Sequence, residues 1–241
     1  MNTHASRVAP ILAAGFTFLC GLGQLSAAGS ASPGFERVVA RFNTTAPPAY
    51  RAYRRLEAGN PESKRHAWLE AWTEFHPGQG LIVEIVGEGG SEYVRNKILR
   101  GLLGKEQELI RRGQPLRAAV DAKNYVLEDG GTTAAGLQRV VLTAARTSDG
   151  VVNGSLFLEP EAGDVTRIEG RLVKSPSFWL RDVDVTWEFA RVGGHVMPTG
   201  MSSSGRVRMY GRSTFRMVYE YVSIDGRPTG ARLNAALRDE Q

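Results

Sequence analysis

From Leu137 to Ile224 apolar and polar residues alternate along the chain, interrupted at short intervals by turn residues. The segment Trp179–Arg191 shows this best. Trp179, Val183, Val185, Trp187 and Phe189 hold odd positions, while Asp182, Asp184, Thr186 and Glu188 hold even ones. Within Thr214–Ile224, Phe215, Met217, Tyr219 and Tyr221 share a face opposite Arg216 and Glu220. Val207 and Met209 repeat the pattern in Arg206–Tyr210, as do Ile168 and Leu172 in Val165–Lys174. A period of two marks strands with one buried face. With Leu137–Arg146, Val151–Glu159 and a short strand Asn124–Glu128, these segments predict an up-and-down antiparallel meander. Ser148–Gly150 is a strong hairpin turn within it. Ser202–Ser204, between Gly200 and Gly205, reads as a flexible loop.

Three earlier strands are predicted near Tyr50–Ala58, Arg65–Phe75 and Leu81–Val86, separated by Gly59–Pro61 and His76–Gly78. The period then changes. Gly87–Ser91 reads as a strand-to-helix loop, with Ser91 as N-cap of a helix from Glu92 to Arg112. Val94, Ile98, Leu102 and Leu109 form its apolar stripe, widened by Leu99, Leu103 and Ile110. A shorter helix is predicted around Phe35, Val38, Val39 and Phe42, after Ser32 and Pro33.

The fold class is therefore mainly β with helices (α+β): a curved antiparallel sheet, or half-open β-barrel, wrapping an amphipathic helix. Burying one large apolar side chain stabilises by roughly 1.5–3 kcal/mol. Five on one strand contribute on the order of 10 kcal/mol, comparable with a domain's net stability. Such a face needs a cover, which is the chain's own helices, a lipid-like ligand or a partner.

Composition adds location. Arg7, an apolar run from Val8 to Leu22 and the small residues Ser26–Ala28 have the layout of a secretory signal peptide cut after Ala28. Pro10, Gly21 and Gln24 interrupt the run, which is short for a membrane span. The domain plan is a signal peptide over 1–28, one β-rich domain over 29–226 and a loosely held tail over 227–241. Cys20 lies inside the apolar run with Leu19 before it, which is poor context for lipid attachment. Cleavage after Ala28 leaves no cysteine, hence neither a disulfide nor a thiol nucleophile. It also removes Arg7, leaving 29 basic residues against 25 acidic, interspersed. No block of like charge marks a nucleic-acid partner.

Motifs for chemistry are weak. Gly87–Glu92 resembles a dinucleotide loop, but Glu92 stands where the third glycine belongs and an acid there repels a pyrophosphate. His66, His76 and His195 lack partners at metal-ligand spacing. The Ser202–Ser204 run is not a nucleophile elbow. The pairs Asp182/Asp184 and Glu70/Glu74 read as solvent-facing strand residues rather than glycosidase carboxylates. Trp68 and Trp72 either line a ligand mouth or pack under the long helix. Asn153–Ser155 matches a glycosylation acceptor and reads as strand geometry. No catalytic residue, metal site or cofactor is expected, and the chain is not expected to be an enzyme.

The runs Asp164–Trp179, Val192–Pro198 and Gly211–Tyr221 share a hairpin-turn cadence, and Gly90–Arg100 leads into the helix. With the leader and the element order, this layout resembles the periplasmic lipoprotein-carrier (LolA/LolB-like) superfamily, and Gly90–Arg100 is similar to a segment of bacterial secreted proteins of that layout. The resemblance implies a half-open β-barrel around a hydrophobic cavity lidded by helices. It also implies a buried arginine that holds the lid closed, a role to which no residue is assigned at this stage. The expected site is the apolar face of Ile168, Leu172, Trp179, Val183, Val185, Trp187, Phe189, Val207, Met209, Phe215, Met217, Tyr219 and Tyr221. Val94, Ile98, Leu102 and Leu109 form the lid. The expected function is a periplasmic binder or carrier of a lipid, an acyl chain or a lipoprotein anchor. The alternative is a helix-plugged module that contacts an envelope protein. Neither reading has a membrane span after leader cleavage.

Overall fold

The computed structural model describes residues 47–112, 120–176 and 180–230. The leader, the predicted helix around Phe35–Phe42, Trp179 and the end of the tail lie outside the described residues. Three strands come first: β1 (Tyr50–Asn60), β2 (Arg65–His76) and β3 (Gly80–Gly90). A single α turn, Glu92–Val94, a π-helical stretch, Arg95–Leu99, and an α-helix, Arg100–Arg111, run on as one helix, α1. Seven strands follow: β4 (Tyr125–Thr132), β5 (Gln138–Ala144), β6 (Val152–Leu158), β7 (Val165–Leu172), β8 (Leu180–Val192), β9 (His195–Val207) and β10 (Gly211–Ile224). The two-residue β11 (Arg227–Pro228) pairs back on β10.

All strands belong to one antiparallel sheet in the order β3-β2-β1-β10-β9-β8-β7-β6-β5-β4. The sheet is not closed into a barrel, and β3 and β4 are its edges. β1 pairs with β10 over most of its length, from Tyr50 opposite Ile224 to Gly59 opposite Thr214. Register shifts fall at Arg51/Ala52, Glu70/Ala71, Phe157/Leu158, Arg181/Asp184 and Glu188/Phe189. Such bulges bend a strand and increase its twist, which curves the sheet.

The alternation predicted for β8 and β10 is present. Val183, Val185, Phe189, Phe215, Met217, Tyr219 and Tyr221 are buried on the inner face with Ile168, Leu172 and Val207. α1 lies on this face and packs over β1, β2 and β3. Ala52, Ala58, Ala67 and Ala71, all buried, keep the floor beneath it shallow.

Several sequence expectations are corrected. Ser202–Ser204 is not a loop but the middle of β9, held in register by β8 and β10 on either side. The turn after β9 comes earlier than predicted, so Met209 is not on a strand face. Gly87–Gly90 extends β3 instead of forming a loop. Trp68 lies against it, and a Cβ on Gly89 would meet its Nε1 at 2.6 Å. The tail does not loosen at Arg227. β11 and an N–H···O bond from Thr229 to Val222 (3.1 Å) hold it through Thr229.

β6 and β7 set glycine opposite glycine at Gly154 and Gly170, which face each other in register. A Cβ on Gly154 would stand 1.9 Å from the Glu169 carbonyl oxygen, whereas one on Gly104 in α1 would meet nothing within 4 Å. We therefore expect Gly154→Ala to destabilise the protein by about 1–3 kcal/mol through overpacking. Gly104→Ala should stabilise it by up to about 1 kcal/mol through helix propensity. Urea denaturation of both variants checks the pair. Equal stabilities would contradict the close approach of β6 and β7.

Candidate functional site

The inner face holds two buried charged side chains among the described residues, Arg54 of β1 and Glu106 of α1, 1% and 2% exposed. They meet in a bidentate pair. Arg54 Nη1 donates to Glu106 Oε2 at 2.7 Å, and Nη2 donates to Oε1 at 3.1 Å. Nη2 also donates to the Tyr50 hydroxyl at 2.8 Å. The guanidinium stacks over the Tyr219 ring at 4.5 Å, a cation–π contact. Its Nε finds no hydrogen-bond acceptor.

Aromatic rings wall this pair. Tyr50 stacks on Phe75 (5.7 Å) and meets Tyr221 edge-on (5.5 Å), and Tyr221 stacks on Tyr219 (5.9 Å). Strand register builds the wall, since Tyr50 lies opposite Phe75 and Arg54 lies opposite Tyr219. The Tyr221 hydroxyl donates to the Pro198 carbonyl at 2.8 Å.

The electrostatics follow from this packing. Burial alone would lower the Arg54 pKa, but the Glu106 carboxylate, with Tyr219 and Tyr50, outweighs it and holds the group above its ordinary value. Burial raises the pKa of Tyr50, Tyr219 and Tyr221, against the lowering influence of Arg54. Tyr125, also buried, is pushed up to about 12.

Ile168, Leu172, Val183, Val185, Phe189, Val207, Phe215, Met217, Tyr219 and Tyr221 join one buried cluster with Val94, Ile98 and Leu102 of the helix. Trp187 is half-buried and packs against it. Two expected members are elsewhere. Met209 is 84% exposed in the β9–β10 turn. Leu109 is only half-buried. Leu99, Leu102, Leu103, Glu106 and Ile110 face the sheet, so Glu106 and Ile110, at i+4 and i+8 from Leu102, continue the stripe in place of Leu109. Trp68 and Trp72 lie on neither predicted surface but on the outer face, half-buried. There Tyr53 meets Trp72 edge-on at 5.6 Å, with Arg51 over Trp72 and Arg55 over Trp68. Parity explains it: Ala67, Leu69, Ala71, Thr73 and Phe75 take the inner side of β2.

Sequence reasoning missed Arg54 and Glu106, although each breaks an apolar pattern. Arg54 falls among Ala52, Leu56 and Ala58, and Glu106 falls between Leu103 and Ile110.

The outer face is polar. Its carboxylates are mostly paired: Glu70 with Arg55, Glu74 with Arg51, Asp184 with Arg171 and Asp164 with Arg191. A depression of about 440 Å³ opens across β1, β10, β9 and β8. Gly59, Thr186, Ser202, Ser204 and Thr214 lower its floor, and Glu57, His66, Asp184 and Arg216 also line it. No helix of the described residues is long and apolar enough to cross a membrane.

No family model matches the chain, and no curated protein matches it. Among solved structures it is similar to a DUF1329 family protein from Desulfovibrio piger, at 8% identity over 88% of this chain and 96% of that one, with a TM-score of 0.44. It is also similar to a LolA superfamily protein from Nitrosomonas europaea, at 11% identity over 80% and 92% of the two chains, with a TM-score of 0.38. These are likenesses of fold.

Glu106→Gln leaves the Arg54 charge buried without its counter-ion, and we expect a loss of about 3–5 kcal/mol in urea denaturation. Replacing both residues together, Arg54→Met with Glu106→Leu, should recover most of that loss. A double variant no more stable than the single one would contradict the isolation of the pair. The tyrosines give a pH test. Their pKa values are higher in the folded chain than unfolded, so the stability they contribute is complete below about pH 10 and falls as pH rises further. In a 295 nm titration the buried phenols should still be protonated at pH 11 and should ionise together with unfolding. Ionisation of all seven tyrosines before any loss of secondary structure would refute this.

Proposed function

We propose that the protein is a non-enzymatic, periplasmic binder or carrier of a hydrophobic ligand, such as a lipid, an acyl chain or a lipoprotein anchor. The ligand enters between α1 and the inner face of the sheet. The observation behind this reading is how the helix is held. The inner face is apolar from β1 through β5, yet the helix is fixed by a buried ion pair. A permanent plug is served as well or better by apolar side chains, which are often more stabilising than a buried pair. A charged pair is directional, and another acceptor can replace one partner. Oxygens of a ligand could take the place of Glu106 on Arg54 as the helix moves aside. Acyl burial at about 0.8 kcal/mol per methylene offsets breaking the pair within roughly six methylenes.

One observation favours the alternative, an envelope interaction module with a sealed core. Helix and sheet residues form one continuous cluster of buried side chains.

Uptake of a fluorescent fatty acid separates the two readings. We expect saturable uptake by the unmodified protein and severalfold tighter uptake by Glu106→Gln, whose helix is less firmly held. Native mass spectrometry of protein taken from its source envelope should show an added lipid mass. Ligand-free spectra together with no uptake by either form would leave the sealed module as the function.

A further inference from the structure

We propose that the outer face at the β9–β10 end of the sheet docks on an anionic phospholipid surface. Register sets Arg181, Arg206 and Arg212 side by side on three adjacent strands: Arg181 lies opposite Arg206, and Arg206 lies opposite Arg212. Like charges directly opposite each other repel. Elsewhere on the sheet Arg51, Arg55, Arg167, Arg171 and Arg191 each meet a carboxylate, while Arg65 lies over the Tyr93 ring and Arg139 donates to the Ser155 hydroxyl. Among the described residues Arg181 and Arg206 have no carboxylate partner; Arg216, four residues beyond Arg212 on β10, lies opposite Glu57 of β1. Among the described residues the Arg212 guanidinium donates to the Ser204 hydroxyl, at 2.9 Å.

The acids nearby do not cancel this charge. Asp182 neighbours Arg181, and Glu62 accepts from the Arg212 backbone N–H at 3.1 Å. In the adjoining depression Asp184 is held by Arg171, and Glu57 shares Arg55 with Glu70. A repulsive row whose guanidiniums meet no carboxylate among the described residues fits anions supplied from outside, and phosphate is the anion arginine matches best.

The turn identifies which phosphates. Met209 stands at its tip with φ of 70°, a left-handed conformation that favours glycine or asparagine. It is 84% exposed, and Tyr210 beside it is 47% exposed. A methionine held out into water, in a conformation glycine adopts more easily, buries little apolar area in the core. An apolar tip, a tyrosine and flanking arginines together form a segment suited to the headgroup layer. The tip enters among the lipids, the ring lies at the interface and the guanidiniums meet the phosphates. This docking is separate from acyl binding on the inner face.

The test uses vesicle co-sedimentation of the whole protein with phosphatidylglycerol-containing and pure phosphatidylcholine vesicles. We expect association with the anionic vesicles alone, weakening as salt is raised. Arg181→Gln with Arg206→Gln should lower it roughly thirtyfold, at about fivefold per surface arginine. Met209→Gly should keep or raise the urea midpoint yet bind the vesicles severalfold less. Fatty-acid uptake should be unchanged in both variants, so a failure of docking and a failure of acyl binding are told apart. Equal binding to neutral vesicles, or undiminished binding by the double arginine variant, would overturn the proposal. So would calorimetric binding of inorganic phosphate without vesicle association, which would assign the arginines to a soluble anion.

Discussion

The placement of α1 rests on directional contacts, of which the bidentate Arg54–Glu106 pair is the deeply buried one; Arg95 and Arg100 also meet Glu88 of β3, and Gln107 donates to the Leu81 carbonyl. The apolar stripe of the helix could slide or rotate over a floor of alanines at modest cost, because dispersion contacts are individually weak and undirected. A buried carboxylate facing a guanidinium cannot. Every displacement leaves charge without a counter-ion in a medium where Coulomb interactions are little screened. The tyrosines around the pair exclude water and present hydroxyl and ring faces to it, so the contact is dry as well as directional. A buried tie between one strand residue and one helix residue 52 positions apart thus helps set the position of the helix on the sheet.

The two faces of the sheet follow different rules. On the inner face, stability comes from area removed from water, and a single residue of wrong polarity is costly unless paired. On the outer face, exposed ion pairs contribute at most about 1 kcal/mol each and set little but local side-chain order. That freedom allows the outer face to vary from place to place. It carries tryptophans under arginines near β2, a shallow hydroxyl-lined depression near β9, and, beyond it, guanidiniums that meet no carboxylate among the described residues.

How far the sequence was legible depended on what fixed each element. β8 and β10 were readable because their own residues alternate, and α1 because its stripe is long. β9 was not. Its centre is glycine and serine, and it is a strand because two neighbours supply hydrogen bonds on both sides. Gly87–Gly90 looked like a loop because the reason for its glycines, the Trp68 indole, lies on another strand. The end of β9 was misjudged by three residues, and that alone moved Met209 from the core to the tip of a turn. Arg54 and Glu106 looked like single lapses in two separate patterns. Only the packing of helix on sheet makes them one feature. The tryptophans of β2 were read by residue type, when the parity of their smaller neighbours decided which way they face.

The pairing of β1 with β10 has a consequence for how the chain acquires its shape. The first hairpin has no seat in the sheet until nearly the whole polypeptide is available, since its partner ends at Ile224. Assembly is therefore dominated by distant contacts, a topology associated with slow folding. A nascent chain would hold β1 and β9 as raw edges until the last long strand slots between them, so its lifetime as an aggregation-prone species is set by the arrival of β10.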